Sequence, residues 1–551
     1  MTRSVRLILL AMLLTGISNV GAGEIQWEAK IDGDIRFKVV HDTGILLVGT
    51  KNKLFGIDPD SGQEKWRVEK LAKDYDPDTV RPIPGSPLMV LELKEGMTKP
   101  MSLQCIDVTT GEKVWTISRN KQGQMNDVPR EWAERVTGKK AKSDQDVLLI
   151  PEGWPTSVRG VFPDFERNQF VISIVKPSIY VNYKRKNFEG GAMAVDMKTG
   201  KVNWVYVLPE KAKAKYSFSS LSINGDVGVM DWAGVHAISL VDGSEKSSAI
   251  FERKGPKNGL AATLIEEGVA YVVAKEGIKA VEIASGQIKW ESEKIKGLLT
   301  ETQIAGDKLV ARLGGNFEEK PGKMKDFGPY GVTVLDKASG KVLTDFKKLN
   351  KKVNLVTPLH IQDNTVYYGT RNSFRALDLA TLDFKFTTDL GKLEKQDSPK
   401  SVVSQDDIIC LTMTQSTKGF NPATGEENWS QTFEAPGHGR FAKFAMVAVS
   451  AMAAGAAQGR ANSTGRRQSY SSLMPMLSQR FTAAQASGSY NYVLSKGDKK
   501  PTLVGVSLKT GEADREAVLD NKSPDYIIDE LGGVLYNIKD KKTIQKFDLK
   551  K

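Results

Sequence analysis

Four histidines, two cysteines and one tight run of aspartates are the residues of this chain with most claim to chemistry. His41, His236, His360 and His438 lie far apart, and none has the His-x-x-x-His spacing that brings two imidazoles onto one metal ion. They read as core or surface histidines. Asp74, Asp76 and Asp78 alternate as in a calcium loop, but Thr79 stands where such a loop needs Gly, Gly85 where it needs Glu, and Pro77 interrupts the run. Cys105 and Cys410 fall in separate strand-like segments of a chain expected in a compartment that permits disulfides. Two buried free thiols are favoured over a bridge. No nucleophile elbow, phosphate-binding loop or paired-carboxylate motif occurs in a convincing setting. The sequence therefore assigns no catalytic residue and no metal ligand, and leaves any cofactor-binding residue unknown.

The elements that would position a site are written far more plainly, as an internal repeat. Five times an apolar strand ends in Asp, Asn or Glu and continues as x-x-Ser/Thr-Gly-x-x-x-Trp: Asp58 to Trp66, Asp107 to Trp115, Asp196 to Trp204, Glu282 to Trp290 and Asn421 to Trp429. Asp336 to Gly340 and Ser507 to Gly511 keep the turn without the Trp. Ser239 to Gly243 and Asp378 to Thr381 are degenerate, the latter with Leu382 in the Gly position, and Asp548 closes the series with a strand alone. The polar marker suits an Asx-type turn, Gly supplies positive φ, and the Trp packs between neighbouring sheets while its N–H finds a carbonyl. Preceding runs such as Ala270-Tyr271-Val272-Val273 and Thr365 to Gly369 are β-rich.

Marker-to-marker steps are 49, 89, 43, 43, 54, 42, 43, 86 and 41 residues. A four-stranded unit with short loops needs about 42, so the two long steps are each one unit plus an insertion. The fifth unit should run Leu260–Ile265, Gly268–Ala274, Gly277–Ile283 and Gln287–Glu291. Gly23-Glu24-Ile25-Gln26-Trp27 supplies a Gly-x-x-x-Trp half-repeat without a marker, and Asp548 a marker without its outer strand. Joined, they close a ring and remove two sheet edges. The fold expected is all-β: a single closed β-propeller of four-stranded blades over 23–551, eight to ten of them with ten units counted, carrying a helical insert.

Residues 1–22 have Arg3 and Arg6, the apolar run Leu7–Leu14 and small residues at Val20-Gly21-Ala22, the pattern of a secretory signal peptide. The run is too short for a bilayer, and no Cys near the cleavage site invites lipid attachment, so a periplasmic location is expected. The chain is basic, 78 Lys and Arg against 66 Asp and Glu, net +12, but its lysines are spread through every repeat and read as a solvated rim. No nucleic-acid partner is expected. The first insert, about 120–163, is polar, with Trp132 and Trp154 and a short helix expected at Pro129–Val136, and reads as a loop capping one ring face. The second, about 435–488, opens with the Ala- and Met-rich run Phe444–Ala457 and turns Ser-rich with Arg460, Arg466, Arg467 and Arg480. It is either a helix capping the ring or an arm that docks a partner or a membrane surface, with Met446 and Met452 as adaptable contacts.

The Asp-x-x-Thr-Gly-x-x-x-Trp repeats resemble the pyrroloquinoline-quinone-type β-propeller family. That resemblance covers nearly the whole mature chain and implies one of two functions. One is a quinone- and calcium-dependent alcohol dehydrogenase, whose members carry two adjacent cysteines that this chain lacks. The other is a non-catalytic, protein-binding scaffold of the envelope, like the outer-membrane-assembly propellers of that class, from which the chain departs in lacking a lipid-attachment Cys and in its longer inserts. The scaffold reading is favoured, with protein partners and no cofactor.

Overall fold

The computed structural model describes residues 23–69, 71, 80–94, 101–117, 157–176, 180–181, 184–185, 189–209, 221–253, 260–320, 323–351, 353–393, 397–434, 490–497, 500–521, 524–529 and 532–549. They form eleven antiparallel sheets, one a small two-stranded hairpin and ten the blades of one ring, nine of these built in sequence order. The degenerate units are thus full blades and not inserted hairpins. Eight sheets have four strands. In the sixth blade a single bridge, Leu335 to Val342, replaces the fourth strand. Three strands of the ninth are described, Tyr490–Ser495, Thr502–Ser507 and Ala513–Val518, the second to fourth of the blade pattern.

Ring closure follows the expectation. The tenth blade is Asp525–Asp529, Val534–Asp540 and Thr543–Asp548, and its fourth strand is the N-terminal Ile25–Lys30, paired antiparallel from Ile25–Phe547 to Lys30–Thr543. First strands of adjacent blades lie side by side: Ser157–Asp164 against Leu221–Asn224, Leu264–Glu266 against Leu299–Ala305, and Phe37–Val40 against Asp525–Asp529. First strands therefore line the inside of the ring and fourth strands its rim. Second and third strands are the most buried, as in Val366-Tyr367-Tyr368 and Ile408–Met413, and the core is a series of apolar layers, each sandwiched between two blades.

Alternation of strand direction divides the connections between two faces. Turns joining first to second and third to fourth strands share one face, called here the turn face. Turns joining second to third strands, and the links between blades, share the other, the mouth face.

Three expectations are corrected. The first insert does not extend to residue 163, because Ser157–Asp164 is the first strand of the third blade, paired with Gln169–Lys176. The long step there contains a second addition, the small hairpin Tyr180–Val181 and Lys184–Arg185. In the fifth blade the first strand is only Leu264–Glu266, since Leu260 and Ala261 pack as irregular chain against the next blade. A further addition explains the 54-residue step. The hairpin Lys308–Lys320 and Lys323–Asp336 leaves the first strand of its blade at the Leu299–Leu313 pair and continues as a two-stranded ribbon with Phe317 and Phe327 at 6.2 Å. The described residues contain one short helix, Phe346–Leu349, capped by the Asp345 carboxylate. No described helix is long and apolar enough to cross a membrane. The expected helices at Pro129–Val136 and Phe444–Ala457 lie outside the described residues.

Candidate functional site: a latched ring and its charged mouth

The repeat motif does structural work, and at five blade junctions it does so in the same way. In the first blade the Asp58 carboxylate accepts from the Ser61 amide at 2.9 Å and the Asp60 amide at 3.1 Å, and the Gly62 amide donates to the Asp58 carbonyl at 2.9 Å. The amide of Ser61 and its hydroxyl hold the carboxyl of Asp58 below its ordinary range. The residue after the marker is a hub. Where it is not proline, as Pro59 and Pro422 are, its amide donates to the first turn of its own blade, as Leu240 to Asp226 at 2.8 Å and Ile283 to Gly268 at 2.9 Å. Its carbonyl receives the indole N–H of the blade before: Trp27 on Pro59, Trp66 on Val108, Trp115 on Met197, Trp204 on Leu240 and Trp290 on Lys337, at 2.7 to 3.0 Å. The indole face also covers the turn glycine. At Gly200 (φ +74) a Cβ would sit 2.7 Å from the Trp115 ring, so only Gly fits.

Where the sequence is degenerate, substitutes appear. Ser247 stands in the Trp position and donates its hydroxyl to the Ile283 carbonyl at 2.5 Å. Phe386 covers Gly425, while Tyr367 brings its hydroxyl to Pro422 at 3.1 Å. Leu382, in the Gly position, takes φ +61. At the eighth junction Cys410 occupies the carbonyl of Leu508 through its thiol at 3.2 Å, and Trp429 has no indole partner.

Cys105 and Cys410 are both free and buried, in the second and eighth blades. Burial, with Asp107 nearby, pushes the Cys105 thiol up to about 12, and burial raises Cys410 as well. Neither is a nucleophile at neutral pH. His41 and His236 are fully buried, and His360 lies in the first strand of the seventh blade. His236 meets the Tyr206 hydroxyl at 3.3 Å, and burial keeps its pKa below the ordinary value against the pull of Glu245. No sequence-predicted candidate is brought into contact with another. His438 and Asp74, Asp76 and Asp78 lie outside the described residues.

What sequence reasoning missed is a belt of buried charge at the mouth end of the inner strands. Four of its groups tie one blade to the next. In the second blade Arg81 donates to the Val158 carbonyl at 3.1 Å while the Val158 amide donates to Glu92 at 3.3 Å. Between the fourth and fifth, Asp231 holds Arg253 at 2.9 Å and accepts from Thr263 at 2.8 Å. Between the sixth and seventh, Glu301 pairs with Arg312 at 2.8 Å and accepts from the Leu359 amide, and Arg312 donates to the Val356 carbonyl at 3.1 Å. At the closure Lys38, with 3% of its side chain exposed, pairs with Asp525, and burial lowers its pKa against that pairing. Lys400, in the first strand of the eighth blade, is likewise lowered by burial, with Asp397 opposing. The only signal in the sequence was a single charge inside an apolar strand, as in Leu88–Lys94 or Val227–Trp232.

Chemically this belt is a set of charged side chains engaged in joining blades: Glu92 receives the Val158 amide, Asp231 receives Arg253 and Thr263, Glu301 receives Arg312 and the Leu359 amide, and Asp525 receives Lys38. Among the described residues no three His, Cys, Asp or Glu come together as a metal site would require.

Among solved structures the chain is similar to BamB from Moraxella catarrhalis, with 10% identity over 73% of this chain and 97% of that chain and a TM-score of 0.33. It is similar to the computationally designed Ika8 protein, with 14% identity over 73% of this chain and 98% of that one and a TM-score of 0.34. A europium-containing methanol dehydrogenase is a third, with 13% identity, coverage of 73% and 68%, and a TM-score of 0.28. No curated protein matches the sequence. Residues 16–162 and 172–381, which include most of the latch turns, match the model of the family described as outer membrane protein assembly factor BamB, and the chain belongs to that family.

Proposed function

We propose that the protein is an exported, non-catalytic scaffold that binds other proteins in the periplasm and serves envelope or outer-membrane assembly. The observation that carries this reading is the asymmetry of the ring. The turn face is made of short latched turns. Among the described residues the additions to the blade pattern leave from the mouth face: the ribbon beyond Leu313 and the hairpin at Tyr180–Arg185. A rigid frame with variable additions on one side suits recognition of partners by loops and strand edges. The family model and the signal-like sequence of residues 1–22 support export to the periplasm.

The test is in-cell crosslinking of the tagged protein after fractionation, with wild type beside a variant in which Gly315–Phe327 is replaced by Asn-Gly. Discrete protein adducts from the periplasmic fraction, reduced or altered by the shortened ribbon, are expected. Titration with pyrroloquinoline quinone and calcium provides the opposing outcome. Stoichiometric uptake with dye-linked alcohol oxidation would overturn the scaffold reading in favour of a quinoprotein dehydrogenase.

A further inference from the structure

We propose, on the reading of the protein as exported, that the Ala22–Gly23 bond is a processing site and that its hydrolysis is what lets the ring close. The tenth marker turn is the place where this is read, because its two halves come from opposite ends of the chain.

In nine blades the marker turn is one continuous stretch of chain. The amide at the Gly position donates to the marker carbonyl at 2.7 to 3.0 Å, and the marker amide donates to the carbonyl one residue past that position at 2.8 to 3.0 Å. The tenth blade makes the same two bonds between its separate halves. The Gly23 nitrogen donates to the Asp548 carbonyl at 2.6 Å, and the Asp548 amide donates to the Glu24 carbonyl at 3.3 Å. The Leu549 amide donates to the Gly533 carbonyl at 2.9 Å, as a hub does elsewhere.

Gly23 is fitted closely into this turn. Its φ of +81 matches the other turn glycines, such as Gly62 at +71 and Gly511 at +75. A Cβ there would lie 2.1 Å from the Glu516 carbonyl oxygen of the ninth blade, so no other residue fits. Arg515 stands in the Trp position of that blade, where it stacks on Tyr490 and donates to the Tyr492 hydroxyl at 2.9 Å. Outer-strand backbone, and not an indole, therefore comes up against the turn glycine at this junction.

The residue count makes the turn depend on processing. In the first blade Asp58 is followed by Pro59, Asp60 and Ser61 before Gly62. After Asp548 come Leu549, Lys550 and Lys551, and Gly23 then fills the fourth place. In the unprocessed chain Ala22 is bonded to Gly23 and claims the place that Lys551 takes by this count. Two residues cannot share one place in so tight a turn, so residues 1–22 keep Ile25–Lys30 from seating fully. Hydrolysis adds water across the bond, leaving a carboxylate on Ala22 and an ammonium on Gly23. The ammonium is a charged donor to the Asp548 carbonyl, and such a donor makes a stronger bond than an amide. Val20-Gly21-Ala22 are residues small enough for the peptidase that removes secretory signals.

The test uses the full chain with residues 17–22 replaced by a sequence whose specific protease cuts immediately before Gly23, held in mild detergent. Amide exchange within Ile25–Lys30 is followed by mass spectrometry before and after the cut, with the strand Ile278–Glu282 as reference. Cutting should slow exchange of the closing strand at least about tenfold and leave the reference unchanged. Deleting Lys550 and Lys551 vacates the contested place, so the uncut deletion chain should exchange nearly as slowly as the cut wild type. Gly23→Ala should exchange fast whether cut or not. Equal exchange of cut and uncut chains, or a deletion that leaves their difference intact, would overturn the proposal. N-terminal sequencing of the natural precursor's product from the periplasmic fraction should give Gly23 first, and any other first residue would overturn the processing site. Protein found only in the cytoplasm would overturn the export reading by itself, since the exchange comparison is made on purified chains.

Discussion

The two faces of the ring are made from the same strands, yet one repeats and the other does not. On the turn face, a carboxylate, a Gly and a Trp recur, and where one is lost another side chain takes over its bond, as Ser247 and Tyr367 do. On the mouth face, blades differ in loop length, in the ribbon of blade six, and in which charged pair ties a junction. The contrast teaches that the repeated seal sits at one end of each strand, while the other end carries junction-specific pairs and the additions. A blade cannot bury both faces of its sheet alone, so its junctions must be sealed somewhere, and sealing at one end leaves the other free to vary.

The sharpest way to break this contrast is to remove a latch. Trp204→Ala deletes a fully buried indole, its bond to Leu240 and its cover over Gly243. A loss of about 3–5 kcal/mol in denaturant unfolding is expected, with strand signals of both neighbouring blades affected. On the mouth side Arg312→Met removes the ion pair from buried Glu301 and breaks the bond to Val356. It should cost about 3 kcal/mol, an effect that Glu301→Gln in the same chain partly restores if the cost is that of an unpaired charge. The pairing is therefore structural on both faces.

Leu382 sharpens the comparison from the other direction. It holds φ +61 in a turn position that Gly fills elsewhere. Leu382→Gly should stabilise the ring by about 1 kcal/mol despite loss of its partial packing against the sixth apolar layer, and thermal unfolding would report it. A loss would mean that the packing outweighs the strained backbone. The smallest effect per residue is in acid. Hydrogen bonds from the turn amides and hydroxyls hold Asp58, Asp336 and Asp378 below the ordinary carboxylate range, and they outweigh burial to do the same for Asp196. Asp242 is held at about 2 by Ser244. A carboxyl whose folded pKa is depressed stabilises above its unfolded value, about 3.9, and loses that contribution as pH falls through the folded one. The contribution of these carboxylates should be level above about pH 4 and decline toward pH 2, and Asp242→Asn should make that decline shallower.

The sequence made the turn face legible because its chemistry is local. Marker, Gly and Trp lie within nine residues, and their spacing yields ten blades and the closure by Ile25–Lys30. The mouth was not legible, because its pairs are made across junctions. Glu301 meets the Leu359 amide, and Glu92 the Val158 amide, through tertiary packing that no local pattern records. The boundary of the first insert failed for the same reason. Ser157–Asp164 contains Arg159, Gly160 and Pro163 and reads as loop, and only its pairing with Gln169–Lys176 makes it a strand.

Hydrogen exchange of individual amides tests the division of labour most directly. The hub amides of Val108, Met197, Leu240, Ile283 and Leu379 donate on the turn face and should exchange only through global opening, with similar protection in all five blades. Amides of Asn316 and Phe317 in the ribbon should exchange orders of magnitude faster, through local opening that leaves the ring closed. Hub amides that exchange as fast as those of the ribbon, or that differ blade by blade as the mouth does, would contradict the account.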